Sequence, residues 1–160
     1  MADKTYTLCG TPNYLSPEII MNRGHDACTD HWALGILIYE MVAGESPFYF
    51  DGIAQMELFR CIVHEQFYPL PDSATDACFQ VVDGLLKKDP THRLGSLAGR
   101  GKDIMSKEWF KELELDGLRQ KKFTAPYIPE AKTQSGSDSD ERFGSDADFS
   151  LSGRAESDRL

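Results

Sequence analysis

Residues 29–44 read TDHWALGILIYEMVAG, and this stretch decides the fold. Thr29 and Asp30 are typical of a helix N-terminus and Gly44 of a helix end, with an almost unbroken apolar run between them. The pattern predicts a helix from Asp30 to Ala43 that is apolar on every face. Because such a helix in a soluble protein must be covered on all sides, we expect it to be the central helix of the domain.

The rest of the chain predicts further helices around this one. Apolar residues recur at helical spacing, and the pair Lys87-Lys88 would end one helix, where cations suit the helix dipole. The predicted helices cover residues 17–22, 53–65, 72–88 and 104–111, and residues 113–129 are predicted to be extended. Because no convincing strand is present, the ordered part is predicted to be mainly α-helical.

Composition and charge exclude several classes of function. The 160-residue chain is 41% hydrophobic, enough for one domain with a core, and its formal net charge is −9. Nucleic acids and anionic membranes attract clustered Lys and Arg, so we expect neither as a partner. The longest apolar run, residues 32–44, is too short to span a bilayer. The first four residues do not resemble a secretory signal, which predicts a cytoplasmic protein, or one that is also nuclear.

The sequence contains only incomplete versions of metal-binding and phosphate-binding motifs. Residues 95–102 resemble a phosphate-binding loop, but Ser96 replaces a required glycine and Asp103 a required Ser or Thr. His64-Glu65 is followed by Tyr68 where a zinc protease needs its second histidine. The four cysteines include no Cys-x-x-Cys pair, which predicts reduced thiols and neither a zinc site nor a disulfide framework. We therefore predict no metal or cofactor bound by this chain alone.

The composition changes after residue 129. Residues 130–160 contain eight acidic and four basic residues, seven serines and no apolar period. Such a segment cannot bury enough apolar surface to fold, so we predict that it is disordered. Ser135, Ser137 and Ser145 each precede an aspartate by three residues, a pattern that acidophilic kinases favour. An unmodified, solvated linker is the alternative.

A series of short motifs follows in order along the chain. The motifs are TLCGTPxYLxPE at 7–18, DxWALG at 30–35, YEM at 39–41, PF at 47–48 and DPxxRLG at 89–95. In order and separation they resemble the C-terminal lobe of a serine/threonine protein kinase. Further motifs are GHD at 24–26, WF at 109–110, DGLR at 116–119 and APxxP at 125–129. These are similar to the cyclic-nucleotide-dependent kinases of the AGC class, slightly more to the cGMP-dependent than to the cAMP-dependent ones.

The resemblance divides the chain into three parts. Residues 1–112 would be a partial kinase domain, from the activation segment to the end of the helical C-lobe. Residues 113–129 would be an AGC-type C-terminal extension, and residues 130–160 the disordered tail. The implied fold is the helical half of a protein kinase with an extended C-terminal tail.

The resemblance also implies roles for residues that support catalysis. Glu18 would form a structural ion pair with Arg93, since a guanidinium can hold a carboxylate by two parallel bonds. Thr11 would bond the catalytic aspartate, and Asp30 would accept hydrogen bonds from the backbone of the catalytic loop. Thr7 matches the activation-loop phosphorylation site, where added phosphate orders a loop by recruiting cations.

Other residues would bind the substrate. Leu8, Pro12 and Leu15 would line a small apolar pocket for the residue that follows the phosphorylated one. Glu40 would attract a substrate arginine near the acceptor, because a carboxylate on a rigid helix forms strong charge-assisted bonds. The implied substrates are proteins with basic residues.

The sequence lacks the parts of a kinase that perform the chemistry. A glycine-rich loop, a lysine–glutamate pair, a His-Arg-Asp loop and an Asp-Phe-Gly metal site are all missing from the 160 residues. ATP and Mg²⁺ would therefore be cofactors of a parent kinase, and this chain alone would be inactive. The implied partners are the missing N-terminal half and, in the parent, a cyclic-nucleotide-binding regulatory domain. A non-catalytic interaction module derived from a kinase is the alternative.

Overall fold

A computed structural model describes residues 5–6 and 10–129. Six α-helices follow in chain order, joined by three 3₁₀ turns. The helices are α1 (Pro17–Ile20), α2 (Cys28–Ala43), α3 (Gln55–His64), α4 (Asp76–Leu85), α5 (Gly101–Met105) and α6 (Leu115–Arg119). The 3₁₀ turns are Pro12–Tyr14, Pro90–His92 and Glu108–Phe110. An isolated bridge joins Thr5 to His25, and these ranges contain no β-strand, which confirms the mainly α-helical prediction.

The central helix is α2, and it begins earlier than predicted. The backbone N–H of Cys28 donates to the Asp26 carboxylate over 2.8 Å. The side chain that accepts a hydrogen bond from the first turn is therefore Asp26, and not Thr29 or Asp30. The helix ends at Gly44, whose φ of 80° lies in the left-handed region that glycine adopts at low cost. The sequence therefore predicted the end of this helix correctly and misplaced its beginning by two residues.

The core forms where α2 packs on α4. A Cβ added at Gly35 would lie 2.8 Å from a Leu86 methyl group and 2.9 Å from the Leu85 Cβ, so the absence of a side chain allows this close approach. The Trp32 ring stacks on Phe48 with centroids 5.8 Å apart. The buried apolar cluster comprises Trp32, Ile36, Ile38, Tyr39, Phe48, Leu58, Ile62, Cys78, Val81, Val82, Leu85, Leu86 and Ile104.

Because the resemblance implies that elements covering α2 are missing, an exposed apolar patch is expected on this helix, and the described structure has one. The helix is not covered on all sides, because Leu37 is 44% exposed and Met41 is 66% exposed. The two residues are four positions apart and so lie on one helix face, which we call the open face. Trp32 and Ile36, by contrast, are fully buried.

The outer elements differ from the predictions in their bounds. Helix α4 begins at Asp76, because the Thr75 hydroxyl caps it by accepting from the Cys78 N–H, and it ends at Leu85, before the Lys87-Lys88 pair. The predicted helix over 104–111 is divided between α5 and the 3₁₀ turn at 108–110. Residues 113–129 are not uniformly extended, since they contain α6. The boundary at 112 stays a prediction, and residues 130–160 lie outside the described residues.

Candidate substrate-docking site

The Glu18–Arg93 pair lies at the centre of the site. The Arg93 Nη1 and Nη2 atoms donate to the two Glu18 carboxylate oxygens over 2.7 and 2.8 Å. Both side chains are buried, Arg93 with 1% and Glu18 with 4% of its surface exposed. The geometry is the bidentate one expected for a guanidinium and a carboxylate. The structure therefore contains the predicted Glu18–Arg93 ion pair, although 75 positions of the sequence separate the two residues.

The electrostatics of Glu18 follow from two opposing effects. Burial raises the pKa of Glu18, because a carboxylate loses its hydration there. The hydrogen bonds and the positive charge of Arg93 lower it by more, so the net pKa lies below the usual value. Glu18 is accordingly ionised at neutral pH, with Arg93 as its ion-pair partner.

Arg93 also joins Glu18 to the rest of the helical core. Its Nη1 atom donates to the backbone carbonyl of Cys28 at the start of α2 over 2.8 Å. Its Nε atom donates to the Lys87 carbonyl over 3.2 Å, and its guanidinium lies 5.3 Å from the centre of the Trp32 ring. Removing Arg93 would thus remove the hydrogen bonds that link Glu18 of α1 to the start of α2 and to the segment after α4.

A second contact fixes the loop before α1. The Tyr14 hydroxyl, in the 3₁₀ turn, donates a hydrogen bond to the Glu40 carboxylate near the end of α2. This hydrogen bond raises the pKa of Tyr14, because it stabilises the protonated hydroxyl. Glu40 is half-buried and therefore still reachable from solvent. The sequence motif contained Tyr14, but nothing in the spacing showed that it would contact Glu40.

Two of the three residues predicted to line an apolar pocket are among the described residues. Pro12 is half-buried and Leu15 is 6% exposed, and the Leu15 N–H donates to the Pro12 carbonyl over 3.3 Å. Gly10 has a φ of 122°, and a Cβ added there would lie 3.5 Å from a Leu15 methyl group. Pro12 and Leu15 thus belong to one turn, and the apolar pocket predicted for them stays a prediction. Leu8, their third predicted partner, and Thr7 lie outside the described residues.

Comparison with known proteins identifies the family. A family model described as a protein kinase domain matches residues 1–110, more than two thirds of the chain. The chain belongs to the protein kinase family. The named relatives place this kinase chain beside the cyclic-nucleotide-dependent enzymes of the AGC class.

Three relatives illustrate the similarity. The chain is 39% identical over 142 residues to the cAMP-dependent protein kinase catalytic subunit of Dictyostelium discoideum, covering 88% of this chain and 21% of that protein. It is 38% identical over 132 residues to the mouse cAMP-dependent protein kinase catalytic subunit PRKX, covering 81% and 36%. It is 34% identical over 159 residues to mouse cGMP-dependent protein kinase 2, covering 91% and 21%.

The relatives are several times longer than the kinase chain and include both cyclic-nucleotide-dependent classes. It spans about a fifth to a third of the length of these relatives. Relatives of both cyclic-nucleotide classes match, and their identities give no support to the slight preference for the cGMP-dependent enzymes. The assignment is therefore to the cyclic-nucleotide-dependent group as a whole.

Two residues with predicted supporting roles lie at the surface of the kinase chain. Thr11 is exposed immediately before the 3₁₀ turn, and Asp30 is exposed in the first turn of α2. Both positions are open to a group supplied by another segment. The roles predicted for them stay predictions, because their predicted partners belong to a catalytic loop that is absent from the sequence.

One notable residue was missed by the sequence reasoning. The Lys88 Nζ atom donates to the Ile62 carbonyl over 2.5 Å and lies 4.0 Å from the centre of the Phe48 ring. Burial lowers the pKa of Lys88 to about 8. The sequence predicted Lys88 only as part of a basic helix end whose charge matches the helix dipole.

The described part of the kinase chain contains neither a metal-binding cluster nor a membrane-spanning helix. Within residues 5–6 and 10–129, no three His, Cys, Asp or Glu side chains are grouped so that they could hold a metal ion. No helix in the same part of the chain is long and apolar enough to cross a bilayer. The described side chains therefore do not fit a Mg²⁺ site.

Proposed function

We propose that this chain is the substrate-docking half of an ATP-dependent serine/threonine kinase. The observation that carries the proposal is the buried Glu18–Arg93 pair, which fastens the loop before α1 to the helical core. A loop held in this way can present side chains to a protein substrate at fixed positions, which is what orientation requires. Membership of the kinase family supports protein substrates in general. We propose in addition that these substrates carry basic residues.

Basic substrates would be recognised through Glu40. Its half-buried carboxylate is oriented by the Tyr14 hydroxyl and lies on the rigid helix α2. A substrate arginine would form charge-assisted hydrogen bonds with it. Pro12 and Leu15, together with Leu8, would form the apolar pocket for the residue after the acceptor. The net charge of −9 also favours basic partners.

Activation would depend on Thr7, Thr11 and Asp30. Phosphate on Thr7 would add about two negative charges and order the segment by pairing with cations of the other half. Thr11 and Asp30 would bond the catalytic loop of that half, which agrees with their exposure. The principal partner that we propose is this other half, with its nucleotide and Mg²⁺ sites.

The proposal also includes a cyclic-nucleotide-binding domain in the same protein. It further includes a cytoplasmic location.

The open face of α2 indicates that another segment covers this helix. Leu37 and Met41 are exposed on the helix that contributes Trp32, Ile36, Ile38 and Tyr39 to the core of the domain. Apolar side chains next to each other at the surface commonly mark an interface. We propose that the half carrying the ATP site covers this face, and that the 160-residue chain alone transfers no phosphate.

A chimeric kinase tests this assignment. Residues 1–129 replace the matching segment of the Dictyostelium relative, so that the relative supplies the ATP site. Met41→Asp in the chimera should lower its unfolding temperature and abolish phosphate transfer. Met56→Asp is the matched control, because Met56 is 76% exposed and belongs to α3 rather than to the open face of α2. Equal effects of the two substitutions would contradict the proposed covering of α2. A folded chimera without transfer would favour the interaction module.

A further inference from the structure

A cavity of about 510 Å³ lies apart from the Tyr14–Glu40 contact. It is bounded by the end of α1, the end of α3 and the turn that follows α4. Three basic residues from these three elements line it: Arg23, His64 and Lys88. A gathering of basic side chains is unexpected in a chain whose net charge is −9.

The acidic residues at this cavity already have partners. Glu18 is bound by both Nη atoms of Arg93. The Asp89 carboxylate accepts from the Thr91 N–H over 2.9 Å and lies 3.3 Å from the His92 Nδ1. Glu65, which follows His64, bonds to Arg60 over 2.6 Å. Among the described residues, the structure shows no carboxylate within ion-pair distance of Arg23 or Lys88, whereas each of these acids has a partner.

Lys88 is the least solvated of the three basic groups. Its ammonium contacts the Ile62 carbonyl and the faces of Phe48 and Trp32, at 4.0 and 5.2 Å from the ring centres. One carbonyl and two aromatic faces compensate incompletely for lost hydration, and for this reason burial lowers the pKa of Lys88. The negative charge of Glu65 acts on Lys88 without forming an ion pair with it, and an anion in the cavity would supply an opposite charge in direct contact.

We propose that this cavity binds a small oxyanion of the phosphate or phosphate-monoester class through Arg23, His64 and Lys88. A planar guanidinium, an imidazole and an ammonium are the side chains that proteins use to bind phosphate oxygens. The cavity is larger than a phosphate ion, so a small ester group fits beside it. The inference goes beyond the proposed kinase role and does not depend on it.

Competitive labelling of lysines tests the proposal on the full chain. The protein is treated with trace acetic anhydride across pH 7–10, and Lys87 and Lys88 are quantified separately by tandem mass spectrometry. Lys87 is the internal control, because it pairs with Asp83 and does not line the cavity. At constant ionic strength, inorganic phosphate should slow the labelling of Lys88 in a saturable way and raise its pKa. Phenyl phosphate, tested separately, shows whether an ester is accepted.

The Arg23→Gln variant distinguishes specific binding of the anion in the cavity from a general effect of salt on lysine labelling. Arg23 is exposed, so this substitution should leave the fold intact, and it should weaken phosphate binding about tenfold, the effect of losing one charge-assisted hydrogen bond. Three results would overturn the proposal: no saturable protection of Lys88 by either anion, equal protection of Lys87 and Lys88, or unchanged affinity in Arg23→Gln. Saturable protection that is specific to Lys88 and weakened in the variant supports it.

Discussion

Arg93 and Glu18 form two parallel hydrogen bonds in the interior of the domain although 75 positions of the sequence separate them. The same guanidinium bonds to the carbonyls of Cys28 and Lys87. The loop before α1, the start of α2 and the segment after α4 therefore meet at one side chain. The position of the proposed docking loop depends on this contact.

Breaking the pair should strongly destabilise the domain. Arg93→Met and Glu18→Gln should each lower the free energy of unfolding by about 3–5 kcal/mol, because each leaves a buried group without its partner. Urea unfolding followed by circular dichroism measures the change. Lys87→Met is the control, since the half-exposed Lys87–Asp83 pair should contribute less than about 1 kcal/mol. Similar losses for all three variants would show that the buried pair has no special role.

The pair should also make stability depend on pH at the acid end. The pKa of Glu18 is lower in the folded protein than its ordinary value of 4.5. Its contribution is fully present above pH 4.5 and is lost as the pH falls through the folded-state pKa, because the unfolded state then binds the proton more readily. Comparing wild type with Glu18→Gln between pH 3 and 6 measures this. A constant difference in unfolding free energy over that range would contradict the prediction.

Arg93→Met should reverse the sign of this dependence. Without the guanidinium, burial raises the pKa of Glu18 above 4.5, so the variant should lose stability as the pH rises through and above that value. The difference between wild type and variant should therefore be larger at pH 7 than at pH 4. Equal differences at the two pH values would show that solvent reaches Glu18 when Arg93 is removed.

Lys88 should affect stability at alkaline pH. Its pKa is about 8 in the folded protein and 10.5 ordinarily, so the unfolded state binds more protons between these values and stability rises with pH there. Above pH 9 the thiols of Cys28 and Cys78, whose pKa values burial raises, act in the opposite direction. Unfolding between pH 7.5 and 9 should therefore show the rise in wild type and not in Lys88→Met. The same slope in both proteins would assign the effect to other groups.

Glu40 should control the preference for basic substrates. In the chimeric kinase, Glu40→Gln should raise KM about tenfold for a peptide with arginine near the acceptor, with kcat little changed, because a binding contact is lost. A peptide without that arginine should show no change. Tyr14→Phe is the matched variant: it keeps the carboxylate, removes the hydrogen bond to it and should cost about 1 kcal/mol of stability. A larger KM effect for Tyr14→Phe than for Glu40→Gln would contradict the role of Glu40.

The sequence predicted those parts of the fold that depend on local pattern. The apolar run that ends at Gly44 identified α2, and the motif at 89–95 placed Arg93 opposite Glu18 through the family resemblance. Helix beginnings were less predictable, because either a side chain or a following turn can satisfy the first N–H groups. Asp26 serves α2 and Thr75 caps α4, and neither was distinguishable from neighbouring polar residues.

Contacts between distant residues explain most of what the sequence could not predict. The Tyr14–Glu40 hydrogen bond joins residues 26 positions apart, and Lys88 reaches the Ile62 carbonyl over the same separation. Such contacts depend on how helices pack, which periodicity does not encode. The open face of α2 is a further example. The missing kinase parts predicted an uncovered apolar patch on this helix, and only the structure shows that Leu37 and Met41 form it within the described part of the chain.

Phosphate transfer by the chimeric kinase tests the central claim most directly. Residues 1–129 are placed in the Dictyostelium relative, and labelled phosphate is followed from ATP–Mg²⁺ into a serine peptide with basic residues. We expect transfer by the chimera, strong loss of transfer in its Arg93→Met variant and no transfer by the 160-residue chain alone. A chimera that unfolds cooperatively but transfers no phosphate, or transfer by the isolated chain, would contradict the claim that this chain is the substrate-docking half of a kinase.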